Sequence, residues 1–320
     1  MRRALLVGIN DYDWSPLYGC INDVKEMENV LKEHYDKKEN FNCITLTSDK
    51  DKVTKAKFMG AVQELFSREA DMVLLYFSGH GHQNNLGGRL VTQDAVENSE
   101  GVSVSDIITI ANQAEHIKEV IIILDCCHSG HFGSIPIIDS EKAILRKGIT
   151  ILTASLGNEL AVEKKSEKQG LFTGILLEAL KGGASNILGH ITAASIYDYV
   201  EKILGPWQQR PVFKAHISEM TAIKYCQPKI SIDILKKITD YFPTAEFKYK
   251  LDSSYDEDLE PRNDKNELKM EHFRAYLAEG LLVPIGYKYL YRAAENGTGC
   301  QLTPLGKFYW KVLNKITSKQ

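Results

Sequence analysis

Short apolar runs alternate along this chain with polar stretches in which apolar residues recur every three or four positions. Residues 4 to 9, 42 to 47, 73 to 77, 119 to 124, 149 to 153 and 212 to 216 are too short for ordinary helices and rich in branched residues, so they predict strands. Between the first two, Val24, Met27, Val30 and Leu31 repeat at helical spacing behind Asn22, a candidate cap. Phe58, Val62 and Leu65 mark a second helix within residues 53 to 66, and further helices are expected over 104 to 114, 171 to 180 and 193 to 204. A polar loop over 82 to 88 and a short strand at 89 to 92 follow the third strand. Strand and helix alternation predicts an α/β fold, a mostly parallel sheet covered by helices on both faces. In such sheets ligands bind outside the carboxyl ends of the strands.

Two of those strand ends carry reactive groups. The run 73 to 77 breaks into Ser78-Gly79-His80-Gly81, and the run 119 to 124 into Asp125-Cys126-Cys127-His128-Ser129-Gly130. A thiol and an imidazole at the tips of two core strands is the arrangement of a nucleophile with its base. The pairing has a chemical reason. A free thiol is only a few per cent ionised at neutral pH, and a nearby imidazole raises that fraction.

Composition narrows the setting. A chain of 320 residues with 43% hydrophobic content can bury one large core and a smaller one. The net charge of −3 gives no general pull toward nucleic acid or anionic membrane. Cys20, Cys43, Cys126, Cys127, Cys226 and Cys300 form no zinc-type spacing, and adjacent Cys126 and Cys127 are poorly placed for a structural disulfide, so a reducing, cytoplasmic setting and no metal are expected. Arg2 and Arg3 precede an apolar stretch too short for a signal-peptide core or a membrane span, and the chain enters its first strand directly.

The ordered motifs resemble the caspase-like cysteine peptidase clan, and within it the bacterial metacaspases. The matching stretches are residues 4 to 10, 17 to 24, Tyr76-Phe77-Ser78-Gly79-His80-Gly81, 125 to 130, Thr153-Ala154-Ser155, Gly170-Leu171-Phe172-Thr173 and Gln209-Arg210-Pro211-Val212. They run in the family's order. The resemblance implies that His80 is the catalytic histidine, that Cys127 is the nucleophile, and that the amides of Gly81 and Cys127 form an oxyanion hole. Cys126, which alternation turns into the sheet, reads as a small buried hydrophobe. No third catalytic residue stands out.

By the same resemblance Asp23, Ser78 and Asp125 line an acidic specificity pocket. Two carboxylates in a desolvated pocket select a cation, best a guanidinium held at two points, so cleavage of polypeptides after Arg or Lys is expected. The plainer readings are that Asp23 extends a helix cap and that Asp125 ties down a loop. Many relatives are switched by calcium, but Asp94, Glu97, Glu100 and Asp106 lack the expected aspartate pair, and Ser134 stands where an acidic ligand would follow the nucleophile. A calcium ion wants six to eight oxygens, so no cofactor is expected, with calcium activation as the alternative. Residues 133 to 148, with Lys142, Arg146 and Lys147, are a candidate self-cleavage segment.

The resemblance ends near residue 227, giving a peptidase domain over 1 to 227 and an accessory domain over 228 to 320. The latter predicts a helix over 232 to 241, an acidic turn-rich stretch over 252 to 264, a helix over 268 to 278 stopped by Gly280, a strand over 288 to 294, a hairpin turn at Asn296-Gly297, and a helix opened by Thr303-Pro304. That pattern resembles a winged-helix-like α+β domain. Its 15 Lys+Arg against 13 Asp+Glu suit protein docking better than nucleic acid, so a protein activator or recruiter is the expected partner. The competing class is a scaffold that kept this fold and lost catalysis. Intact Cys127 and His80 speak against it.

Overall fold

A computed structural model describes residues 1–84, 87–96, 99–128, 144–154, 169–204, 211–217, 220–256, 261 and 263–317; for Asn84, Cys127, His128, Ile316 and Thr317 it describes the backbone alone. The chain divides into two compact units, Met1–Gln227 and Pro228–Gln320.

In the first unit the strands are β1 (Arg2–Gly8), β2 (Asn42–Thr47), β3 (Ala70–Asn84), β4 (Gly87–Val96), β5 (Ser99–Ser103), β6 (Ile117–His128), β7 (Ile149–Thr153), β8 (His190–Ile191), β9 (Val212–His216) and β10 (Lys224–Tyr225). The helices are α1 (Cys20–Leu31), α2 (Lys55–Phe66), α3 (Val104–Gln113), α4 (Leu171–Glu178) and α5 (Ala193–Leu204). The main sheet runs β2-β1-β3-β6-β7-β9, parallel except for the β9 edge. A small antiparallel ribbon, β4 with β5, extends from β3, and β8 pairs with β10.

Period-two alternation in the central strands sends successive side chains to two cores. Val73, Leu75, Phe77, Val120, Ile122, Leu124 and Cys126 pack with Phe58 and Val62 of α2 and Ile107 and Ala111 of α3. Leu74, Tyr76, Ile121 and Ile123 pack with Val24 and Met27 of α1, Phe172 and Leu176 of α4 and Val200 of α5. Each such side chain, removed from water, contributes about 1.5–3 kcal/mol. This double-sided burial is why β3 and β6 read as unbroken apolar runs.

Two local expectations change. Asn22 does not cap α1, which begins at Cys20; the Ile21 amide is instead met by Asn10 Oδ1 at 3.3 Å, an acceptor borrowed from the preceding loop. The loop expected over 82 to 88 is largely strand, because β3 runs on past its glycines to Asn84 and pairs with a β4 longer than foreseen. Gly8 lets α1 sit directly on the end of β1, since a Cβ there would lie 2.5 Å from the Cys20 carbonyl. That close approach carries Asp23 to the strand ends.

The second unit contains α6 (Ile232–Lys236), α7 (Ile238–Tyr241), β11 (Lys248–Tyr249), α8 (Asp264–Ala278), β12 (Leu282–Pro284), α9 (Leu290–Glu295), β13 (Cys300–Leu302) and α10 (Pro304–Thr317). Its three strands form an antiparallel sheet in the order β11-β13-β12 around Phe242, Tyr249 and Phe273. The expected strand over 288 to 294 is mostly the helix α9, and Asn296-Gly297 closes that helix instead of turning a hairpin. Buried Leu290, Ala293 and Ala294 explain it, since they share one helical face. The helix expected over 232 to 241 is interrupted at Lys237. Thr303 caps α10 as expected, its Oγ1 accepting from the Gly306 amide at 3.1 Å.

Candidate active site

Parallel pairing of β3 with β6 sets the site. Ser78 lies level with Asp125, His80 with Cys127, and Gly81 with His128 on one side and Leu90 on the other. Neighbouring strands are about 4.8 Å apart, so the imidazole-bearing and thiol-bearing positions are adjacent across the ladder. The side chain of Cys127 lies outside the described residues. Its neighbour Cys126 is buried in the core on the α2 and α3 side.

His80 is 2% exposed, and its ring is held from three directions. Trp14 stacks on it at 4.6 Å and 26°, and Tyr12 packs against it at 4.6 Å and 50°. Its Nε2 donates to the Ser15 carbonyl at 2.7 Å. A carbonyl can only accept, so Nε2 carries the proton and Nδ1 is the basic nitrogen. That Nδ1 is buried and has no hydrogen-bond partner among the described residues. The Tyr12 hydroxyl accepts from the His80 amide at 3.2 Å and donates to the Val91 carbonyl at 3.0 Å, tying the histidine's backbone to β4. Burial lowers the His80 pKa, partly offset by the Ser15 carbonyl, so the imidazole rests neutral near pH 7.

A second cluster lies beside this one, on the α1 and α4 side of the sheet. Asp23, in the first turn of α1, is 0% exposed; its Oδ2 accepts from Ser78 Oγ at 3.1 Å, and the Gly170 amide donates to its Oδ1 at 3.2 Å. Asp23 therefore reaches across to β3 and to the start of α4. Asp125 is 6% exposed and its Oδ2 accepts from Thr173 Oγ1 at 2.6 Å, while the Tyr76 hydroxyl shares a 2.5 Å hydrogen bond with the same Thr173 oxygen. The two carboxylates, together with burial, push the Tyr76 pKa well up, burial being the larger cause. Gly170 sits between the two acids. A Cβ there would lie 2.9 Å from Asp125 Oδ2 and 3.2 Å from Asp23 Oδ2. Its φ of −66° and ψ of 139° suit any residue, so what glycine supplies is room.

Sequence reasoning brought Asp23, Ser78, His80 and Asp125 to one end of the sheet, and there the structure holds them. It passed over Tyr12, Trp14 and Ser15, and it gave no role to Gly170 or Thr173. Two aromatics in a loop directly after a core strand, at a carboxyl end, were the available signal. A backbone carbonyl leaves no such trace.

Of the four acids weighed for calcium, Asp94, Glu100 and Asp106 are described. Asp94 Oδ1 accepts from the Lys55 amide at 2.9 Å and Thr92 Oγ1 at 2.7 Å, which fixes the start of α2. Glu100 pairs with Arg89 at 3.5 Å and lies 3.8 Å from His82. Asp106 belongs to the first turn of α3. Among the described residues no three His, Cys, Asp or Glu side chains gather as ligands. Glu97 and Ser134 lie outside the described residues. So does Lys142, whereas the Arg146 guanidinium donates to the carbonyls of Ala111, Ala114, Ile117 and Lys147.

Comparison with known proteins places this geometry. Residues 1–221 match the family described as Caspase domain. Metacaspase-1 of Eremothecium gossypii is 32% identical over 164 residues, covering 46% of this chain and 36% of that protein. Metacaspase-1 of Ajellomyces capsulatus is 27% identical over 225 residues, covering 62% of each. The matched part thus spans between about a third and three fifths of these relatives. The crystal structure of caspase-1 from Spodoptera frugiperda superposes with a TM-score of 0.50 at 10% identity, over 71% of this chain and 90% of that one, which supports the fold. With a family match covering the sheet and both residue clusters, the chain belongs to the caspase-domain family of cysteine peptidases.

Proposed function

We propose that the chain is a cysteine endopeptidase that cuts polypeptides after Arg or Lys through Cys127 and His80. The observation that carries this reading is the register of β3 on β6, which sets His80 level with Cys127 and, two residues earlier, Ser78 level with Asp125. Nucleophile, base and acidic pocket then share one strand end.

His80 Nδ1 takes the proton from the Cys127 thiol, and the thiolate attacks the scissile carbonyl carbon. The oxyanion that forms is met by the amides of Gly81 and Cys127; one such donor is worth about 2.7–4 kcal/mol in other proteases. Burial disfavours the imidazolium produced, while the Trp14 and Tyr12 faces offset part of that cost by attracting the cation. His80 gives the proton to the departing amine as the carbon–nitrogen bond breaks, and water then hydrolyses the thioester, restoring the thiol. Asp23 and Asp125 hold the substrate cation on either side of Gly170, where a guanidinium meets each carboxylate.

The test is a set of peptides that differ only before the scissile bond. Cleavage after Arg and Lys, abolished by Cys127→Ala, supports the reading, and cleavage after Asp contradicts it. We assign the protein to the cytoplasm on its cysteine usage, which has no zinc-type spacing and sets Cys126 and Cys127 side by side, where a structural disulfide is poorly placed. No helix among the described residues is long and apolar enough to cross a membrane. The second unit, with its near balance of charge, is assigned to protein recruitment or control.

A further inference from the structure

We infer that the cavity beside His80, walled by the Trp14 ring and the β4–β5 ribbon, is a subsite for the apolar side chain of the residue that follows the scissile bond. This inference rests on the peptidase reading above and deepens it.

Position is the first ground. The cavity is lined by Trp14, Gly81, Val91, Ala95 and Val96, with His82 and Glu100 at its polar end. Trp14 is also the ring stacked on His80, and Gly81 is the next residue in the chain. His80 protonates the departing amine, so the segment that leaves must pass along its side of the site. The cavity is therefore within one residue of the bond that breaks.

Direction is the second ground. Asp23 sits on α1, and Asp125 bonds to Thr173 of α4, so the acidic pocket belongs to the α1 and α4 face of the sheet. Val91 belongs to the opposite core, with α2 and α3. An extended peptide turns successive side chains to opposite faces. A residue whose side chain enters the acidic pocket is followed by one that points to the other face, which is where the cavity opens.

Chemistry and size fix the class. The volume is about 240 Å³, below the roughly 300 Å³ at which drug-sized pockets begin, so one side chain fills it. Its walls are an indole, two valines and an alanine, which favour leucine, methionine or phenylalanine. At the polar end Glu100 is held by Arg89 at 3.5 Å. An incoming carboxylate meets that negative group and is disfavoured.

The experiment uses the full chain and internally quenched peptides that share an Arg and differ only in the next residue: Phe, Leu, Gly or Asp. Phe and Leu peptides are expected to exceed the Gly peptide roughly tenfold in kcat/KM, with Asp lowest. Ala95→Trp fills the cavity and should bring the Phe-to-Gly ratio close to one. Val96 is 64% exposed, so Val96→Asp is compatible with folding and should lower the same ratio by putting charge on the rim. Arg-dependent cleavage with no preference at the next residue overturns the subsite and leaves the peptidase reading intact. A preference that survives in both variants overturns the assignment to this cavity. Failure to cut any Arg peptide overturns the reading and the subsite together.

Discussion

Gly170→Ala separates a specificity role for Asp23 and Asp125 from a purely structural one. The backbone at Gly170 is already in a conformation that alanine adopts freely, so the change adds a methyl without strain. That methyl lands 2.9 Å from Asp125 Oδ2 and 3.2 Å from Asp23 Oδ2, closer than carbon and carboxylate oxygen normally sit. Either the acids move apart or the methyl occupies the space a substrate cation needs. A hydrogen bond to a charged group contributes about 1.5–3 kcal/mol, and losing one such contact corresponds to roughly 10- to 150-fold in kcat/KM. Gly170 also caps α4, and alanine is the poorer cap by up to about 1 kcal/mol, a stability effect that acts on every substrate alike. Matched peptides with Arg or norleucine before the scissile bond, read beside the melting temperature, distinguish the two. The Arg peptide should lose its advantage while the norleucine peptide changes little. If both fall together in step with a lower melting temperature, the carboxylates serve α4 and not the substrate.

Other perturbations follow from the same contacts. Thr173→Val keeps the shape but removes the donor to Asp125 Oδ2 and the partner of Tyr76, and should cost about 1–3 kcal/mol in chemical denaturation, with Thr173→Ser restoring most of it. Tyr12→Phe takes the hydroxyl from the His80 amide and the Val91 carbonyl; stopped assays should show kcat falling more than KM rises, because the base loses its backbone anchor. Cys126→Ser puts a hydroxyl into an apolar core and should cost about 1–3 kcal/mol of stability with turnover retained, whereas Cys127→Ala should abolish turnover and leave stability nearly unchanged. His80, His34 and His272 all have pKa values lowered by burial, so each favours folding while neutral. Their stabilisation is fully present above the ordinary histidine value of 6.5 and is lost as pH falls through their lower folded values. Melting temperature should therefore drop below about pH 6.5, and His80→Gln should flatten that drop; an unaltered slope would count against a buried neutral His80.

Much of the fold could be read from the chain because its central strands are buried on both faces. Residues 119 to 124 and 73 to 77 are short and rich in branched residues, as core strands are, and the motifs at their ends lie level across β3 and β6. Reading failed where the deciding partner came from elsewhere in the chain. Asn22 has the right side chain for a cap, yet Asn10 reaches the helix start first. Residues 82 to 84 are polar and carry no strand signal of their own; they are extended because β4 pairs with them. In the second unit Tyr289 and Tyr291 favour a strand locally, and the buried face of Leu290, Ala293 and Ala294 overrides them. The contact that orients His80 is a main-chain oxygen of Ser15, which any residue type supplies, so no residue pattern could announce it.

The central claim is that Cys127 and His80 cut after a cation chosen by Asp23 and Asp125. Its most direct test is mass-spectrometric mapping of every bond cut when the purified full-length chain, with calcium or with a chelator, meets a mixed peptide library. Cuts confined to positions after Arg and Lys, absent with Cys127→Ala and present with the chelator, are the predicted result. Cuts after Asp, or cuts that persist in Cys127→Ala, would contradict it.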